Sequence, residues 1–274
     1  MYGCIKCDYD SRDILVMTYL DVSVPPESYD LTNEQSEVRS QGKEGACTGF
    51  SALGAKEWQE SQDYGIFVPL SPRFAYEEAK KLYWGKNARK KEGADLRSIV
   101  KVLTKLGICE EKFWPYEAGN PETMGNITET YQSASEFKIK SYARITNLED
   151  LKRSLVKFGP CLIGWLVYKG IKKAKENGVV PTPNMAWPSN WRPLGGHATV
   201  AVGFDDNMKA LGKKGYIKFK NSWGIGWGEE GYGYLSYDYI KDHMLDAFSM
   251  LDIDDPKPFT VGDLSYIQKD EAWV

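Results

Sequence analysis

Histidine is nearly absent from this chain: two of its 274 residues, His197 and His243, carry an imidazole. Any reaction that needs an imidazole base therefore has two candidates. Long apolar runs are missing too, and the opening Met1-Tyr2-Gly3-Cys4-Ile5-Lys6 lacks the continuous apolar stretch of a secretory leader. A cytoplasmic chain with no membrane association is expected. There is no excess of positive charge, with 35 Lys and Arg against 38 Asp and Glu for a net charge of −3. The basic runs at Lys80-Lys81, 86–91 and Lys172-Lys173 are interspersed with acids or loops and read as solvated faces, so nucleic acid is not an expected partner. Cysteine is sparse and odd in number, 5 in all, which does not make a disulfide framework. Cys4-x-x-Cys7 has no second pair to complete a four-ligand zinc site, so neither a metal nor a cofactor is expected. A disulfide between those two stays open, while Cys109 and Cys161, each following a glycine turn, read as core. Asn126-Ile127-Thr128 matches a glycosylation sequon, which has no meaning without secretion.

Against these absences stands a glycine-rich loop, Gln41-Gly42-Lys43-Glu44-Gly45-Ala46-Cys47, followed by Phe50, Leu53, Ala55 and Trp58 at near-helical spacing. Cys47 is thus expected in the first turn of a helix. Unpaired N–H groups and roughly half a positive charge from the aligned peptide dipoles favour a thiolate there. A small buried cysteine packing as a hydrophobe fits the loop equally well. Of the two imidazoles, His197 sits in Gly195-Gly196-His197-Ala198-Thr199-Val200, where small residues lead into a strand. His243, between Asp242 and Met244, reads as a solvated surface residue, which leaves His197 as the base. Asn221, in Lys220-Asn221-Ser222-Trp223-Gly224-Ile225-Gly226-Trp227, ends a strand and can orient an imidazole. Trp223 could shield that hydrogen bond from water, and Trp227 reads as core.

The order Gln41, Cys47, His197, Asn221 resembles that of the papain-like cysteine peptidases. The asparagine comes somewhat late for the family spacing, and stretches 181–193 and 209–214 read as surface loops that lengthen the chain. Further matches, Leu70-Ser71-Pro72-Arg73-Phe74, Trp114-Pro115-Tyr116, Phe158-Gly159-Pro160 and Gly226-Trp227-Gly228-Glu229-Glu230-Gly231-Tyr232, extend the resemblance over residues 20–252. Two positions depart from the commoner eukaryotic pattern. Glu44 replaces a disulfide cysteine and Thr48 an aromatic residue, which is more similar to the disulfide-poor branch of prokaryotes and their viruses.

The resemblance implies an α+β, two-lobe fold: a helical lobe facing an antiparallel, β-barrel-like lobe across a cleft. Composition supports it, since 42% hydrophobic and 13% aromatic residues suffice for a sizeable core. The predicted divisions are an N-terminal extension 1–30, a helical lobe 31–134, a β-rich lobe 135–253 and a C-terminal tail 254–274. Helices are expected from Cys47, from Ser71-Pro72, from the cap Asp95 to Gly107, and from Asn147 to Gly159. Strands are expected at 137–142, 161–167, 198–204, 216–220 and 232–237.

By resemblance the activity is that of a cysteine endopeptidase acting through a thioester on protein or peptide substrates, open to protein inhibitors of the cleft and expected to be monomeric. Cys47 attacks, His197 transfers protons, Asn221 orients His197, and the Gln41 amide joins the Cys47 N–H in an oxyanion hole. Substrate backbone would pair with Gly93 and Ala94, Gly164 and Ala198 would line the pocket for the second residue before the scissile bond, and Trp223 would complete the binding set. Two other functions share the residues: amide ligation or transpeptidation, and peptide binding without turnover. Residues 1–20 are expected to form a latch at the cleft or an added strand, and the tail to be a peripheral extension.

Overall fold

The computed structural model describes residues 2–20, 23–183 and 192–251. Residues 184–191 of the expected 181–193 loop, and the whole tail 254–274, lie outside the described residues.

The N-terminal half opens with a two-residue strand β1 (Cys4–Ile5), then β2 (Ser28–Asp30), and continues through α1 (Cys47–Tyr64) and α2 (Pro72–Trp84). A short strand β3 (Ala94–Asp95) leads directly into α3 (Leu96–Lys105), and α4 (Ile127–Glu136) follows. Local chemistry explains the starts. Ser71 accepts from the Phe74 amide with Pro72 at the first helical position, and Asp95 accepts from the Ser98 amide. Asn126, in the sequon, is a helix cap that accepts from the Thr128 and Glu129 amides. The strand expected at 137–142 therefore begins later, after α4.

The C-terminal half comprises β4 (Ser141–Ile145), α5 (Leu148–Phe158), β5 (Cys161–Tyr168), β6 (Pro193–Ala210), β7 (Lys213–Lys220), β8 (Tyr232–Ser236), α6 (Tyr237–His243) and β9 (Met244–Leu251). The sheet runs β4-β9-β5-β6-β7-β8, with β2 also paired to β6, and every pairing is antiparallel. It is an open seven-stranded sheet rather than a closed barrel. The expected 209–214 loop is the β6–β7 hairpin, turned by Leu211 and Gly212 at positive φ.

Alternation along the strands divides the core in two. Leu162, Ala198, Val200 and Val202 face α1, α2 and α3, whereas Ile163, Trp165, Val167 and Ala201 face α5 and α6. Contact between the halves is close where α1 crosses β6: a Cβ on Gly54 would stand 2.9 Å from Val200 Cγ2. That crossing delivers the start of α1 to the His197 end of β6. Among the described residues no helix is long and apolar enough to cross a membrane.

Candidate active site

Cys47 is the first residue of α1. The backbone N–H groups of Ala198, Gly3 and Thr48 act on its sulfur electrostatically and favour the thiolate. The Ala198 amide places the thiol one residue from His197, so strand β6 and helix α1 meet at the two groups. His197 Nε2 lies 2.8 Å from Asn221 Oδ1. Its Nδ1 has no hydrogen-bond partner among the described residues and is buried. The imidazole is held on three sides: Trp223 stacks on it at 4.6 Å with planes 21° apart, Trp165 meets it edge-on at 5.5 Å, and Asn221 fixes the ring nitrogen. An imidazole so held can exchange a proton only through Nδ1.

The loop before Cys47 is sewn to the asparagine loop. Gln41 N donates to Ser222 O at 2.9 Å, and Ser222 Oγ donates to Gln41 Oε1 at 2.6 Å. With its oxygen engaged by the hydroxyl, the Gln41 amide must turn its NH₂ the other way, where it donates to Glu44 O at 2.7 Å. Sequence reasoning missed Ser222, which gives no signal beyond its place beside Asn221.

Glu44 is the anchor of this loop. Its carboxylate accepts from Arg73 Nη1 at 2.6 Å and Nη2 at 2.7 Å, from Gly119 N at 2.8 Å and from Tyr116 Oη at 3.1 Å. Burial, the largest single influence, pushes its pKa up, but the hydrogen bonds from Arg73, Gly119 and Tyr116 and the Arg73 charge together outweigh it and hold it below the ordinary value. The same Tyr116 hydroxyl reaches Gln41 O at 2.8 Å, and the Arg73 guanidinium covers the Tyr116 ring at 4.5 Å. A buried ion pair thus ties the nucleophile loop to α2, at the position where the resemblance led one to expect a disulfide cysteine.

Electrostatically the site differs from the expectation of a ready thiolate. Cys47 and His197 are both 0% exposed. Burial pushes the Cys47 thiol up, and it pushes His197 down to about 4 despite the Asn221 hydrogen bond. In both groups the low-dielectric surroundings disfavour the charged form, and at Cys47 they outweigh the backbone N–H groups. The cover comes from the N-terminal residues, with Gly3 over the loop and Tyr2 edge-on to His197 and Trp223.

The remaining expected site residues gather around this cover. Ala94 N donates to Gly3 O at 3.0 Å, and Gly93 lies against the same residue. Gly164 faces Cys4 Sγ and pairs with Ala198 across β5 and β6. Trp227 is buried against Phe219 and Trp223. His243 departs from expectation: it is 8% exposed, with Nδ1 3.2 Å from Tyr168 Oη and its ring against Tyr239, because α6 folds back onto the sheet. All five cysteines are free and buried, so the open question of a Cys4–Cys7 bridge is answered by two thiols. Among the described residues no cluster of three or more metal-ligating side chains exists.

Comparison with known proteins gives the family. The family model described as papain family cysteine protease matches residues 25–246. The chain belongs to that family. An uncharacterized peptidase C1-like protein of Acanthamoeba polyphaga mimivirus is 29% identical over 93% of this chain and 88% of its own length. Cathepsin K of Mus musculus is 28% identical over 77% of this chain, which spans 60% of that protein. Among solved structures, xylellain, a cysteine protease from Xylella fastidiosa, superposes with a TM-score of 0.79 at 28% identity, covering 92% of this chain and 96% of its own. This papain-family chain is a cysteine peptidase, a hydrolase whose family acts on proteins and peptides.

Proposed function

We propose that the chain is an endopeptidase in which Cys47, His197 and Asn221 act through a thioester, with Gln41 in the oxyanion hole. The observation that carries this reading is the tethering of His197 by Nε2 to Asn221, with Nδ1 left unpartnered, while the backbone N–H of the next residue, Ala198, acts on the Cys47 sulfur at the start of α1. Nδ1 takes the Cys47 proton as the sulfur attacks a peptide carbonyl. The bond that forms is S–C, and the electron pair of the C=O moves to oxygen, where the Cys47 N–H and the Gln41 Nε2–H donate to it. Collapse breaks the C–N bond, and the imidazolium returns its proton to the leaving amine. Water then gives a proton to Nδ1 and attacks the thioester, releasing the acid and restoring the thiol.

Ser222, by occupying Gln41 Oε1, determines which end of that amide faces the developing charge. Gly93 and Ala94 support pairing with substrate backbone before the scissile bond, and Gly164 with Ala198 leaves room for a bulky apolar side chain two residues before it.

The test is hydrolysis of a peptide library, with Cys47 labelling followed in parallel. Cys47→Ala and His197→Ala should abolish turnover, and Cys47→Ala, a small change of side chain, should leave the melting temperature close to wild type. Turnover that survives Cys47→Ala would sink the mechanism, and products joined to an added amine would move it to acyl transfer.

A further inference from the structure

A charged side chain stands on the helical wall of the cleft, beside the glycines that let a backbone in. Gly45 lies two residues before Cys47 on the nucleophile loop, and a Cβ built there would stand 3.4 Å from Glu92 Oε2 and 3.7 Å from Glu92 Cβ. Glu92 thus leans from the segment before β3 onto the loop that carries the thiol. The Cα of Gly3 lies 3.3 Å from the same point, so a main chain at this place passes within reach of the carboxylate. We propose that Glu92 selects an arginine or lysine immediately before the scissile bond. The proposal rests on the endopeptidase reading above.

Which substrate side chain meets Glu92 follows from strand alternation. Successive side chains of an extended peptide point to opposite faces. In the reading above, the side chain two residues before the scissile bond enters the β lobe between Gly164 and Ala198. The next one, the last before the bond, therefore turns back to the helical lobe. With its carbonyl at Cys47, that residue comes down on Gly45 and on the carboxylate beside it. Arginine and lysine carry their charge at the end of a long apolar stem, which can lie along Gly45 and end at Glu92.

The carboxylate is available and its base is rigid. Glu92 is exposed and makes no hydrogen bond or ion pair with any described residue. The charges behind it are matched: Glu44 and Glu77 share Arg73, at 2.6 and 3.2 Å, and Glu77 also holds Lys80 at 3.2 Å. Lys91, next to Glu92 in the chain, stands over the Trp84 ring at 5.5 Å. On the other side of Glu92 the backbone is pinned at both polar groups. Gly93 N donates to Tyr76 Oη at 2.9 Å, and Trp84 Nε1 donates to Gly93 O at 2.9 Å. Both partners belong to α2, and Tyr76 is fully buried. The Ala94 amide, which donates to Gly3 O, is then the group that pairs with a peptide in the cleft.

The experiment measures kcat/KM of the full chain on paired peptides that differ only in the residue before the scissile bond: arginine in one, and citrulline, its uncharged isostere, in the other. A peptidyl chloromethyl ketone of each kind reports the same choice without turnover, through the labelling rate of Cys47. An exposed pair of charges should favour arginine about fivefold at low ionic strength, and the ratio should shrink in about 0.5 M salt. Glu92→Gln should bring the ratio close to one, and Glu92→Lys should turn the preference toward a glutamate at the same place. Because each ratio is taken within one enzyme, a partly folded variant does not change it. A ratio near one in the wild type, or an arginine preference that persists in Glu92→Lys, overturns the role of Glu92. Arginine-selective labelling that depends on Glu92, in a protein that hydrolyses neither peptide, leaves that role standing and removes the endopeptidase reading.

Discussion

Replacing Glu44 by Gln should weaken both the fold and the chemistry, and the two losses should separate. The substitution keeps the shape of the side chain but strips the charge from a carboxylate bonded at 2.6 and 2.7 Å to a guanidinium that is 0% exposed. Breaking a buried pair from one side costs about 3–5 kcal/mol. Glu77, at 3.2 Å from Arg73 Nη1, offsets part of this, so about 3 kcal/mol is expected. For a chain of this size that corresponds to a fall in melting temperature of roughly 6–12 °C. Relaxation of the loop also frees Gln41, whose carbonyl and amide are both held through Tyr116 and Glu44. A lost oxyanion donor costs about 10²–10³ in kcat, and a loosened one should cost about tenfold with KM nearly unchanged.

The assay measures peptide hydrolysis beside iodoacetamide labelling of Cys47. Alkylation develops no oxyanion, so its rate should hold while kcat falls. Adding Arg73→Met removes the orphaned cation and should recover most of the melting temperature but not kcat. A Glu44→Gln enzyme with unchanged kcat and melting temperature would refute the idea that this ion pair positions the nucleophile loop.

Other expectations follow from the same geometry. His197, held at about 4 by burial, refuses a proton that the unfolded chain accepts from about pH 6.5 downward, so stability is full above that value and falls as the pH drops toward 4. The window amounts to about 3 kcal/mol; the stability gap between wild type and His197→Gln, from denaturant titrations, should narrow across it, and a constant gap would contradict the buried neutral imidazole. Asn221→Ala removes the 2.8 Å bond to Nε2 and should lower kcat about tenfold without slowing substrate binding, as read from kcat and KM separately. Gly49→Ala would ordinarily favour a helix by about 1 kcal/mol, but its Cβ would stand 2.4 Å from Pro72 O, so destabilisation of about 1–3 kcal/mol is expected by thermal melting.

The helices and the order of the reactive residues were legible because their signals are local. Ser71-Pro72, Asp95 and Asn147 cap helices through amides three positions away, and Cys47 opens α1 where the glycine loop ends. Asn126 carries the same kind of signal and was read as a sequon, since an Asn-x-Thr sequence serves either role. The sheet was less legible. Strand β9 enters between β4 and β5, an order set by long-range pairing that no window of sequence contains. His243 looked solvated from its neighbours Asp242 and Met244, yet α6 returns it to the sheet.

Thus the sequence by itself determined which groups are available for chemistry: one cysteine at a helix start, one histidine at a strand start and one asparagine at a strand end. Tertiary structure alone decided their state. Protonation depends on what excludes water, and water is excluded here by Tyr2, Gly3 and Cys4, which are distant in the chain from His197 and Asn221 and reach them only because the lobes close around a strand that both can hold.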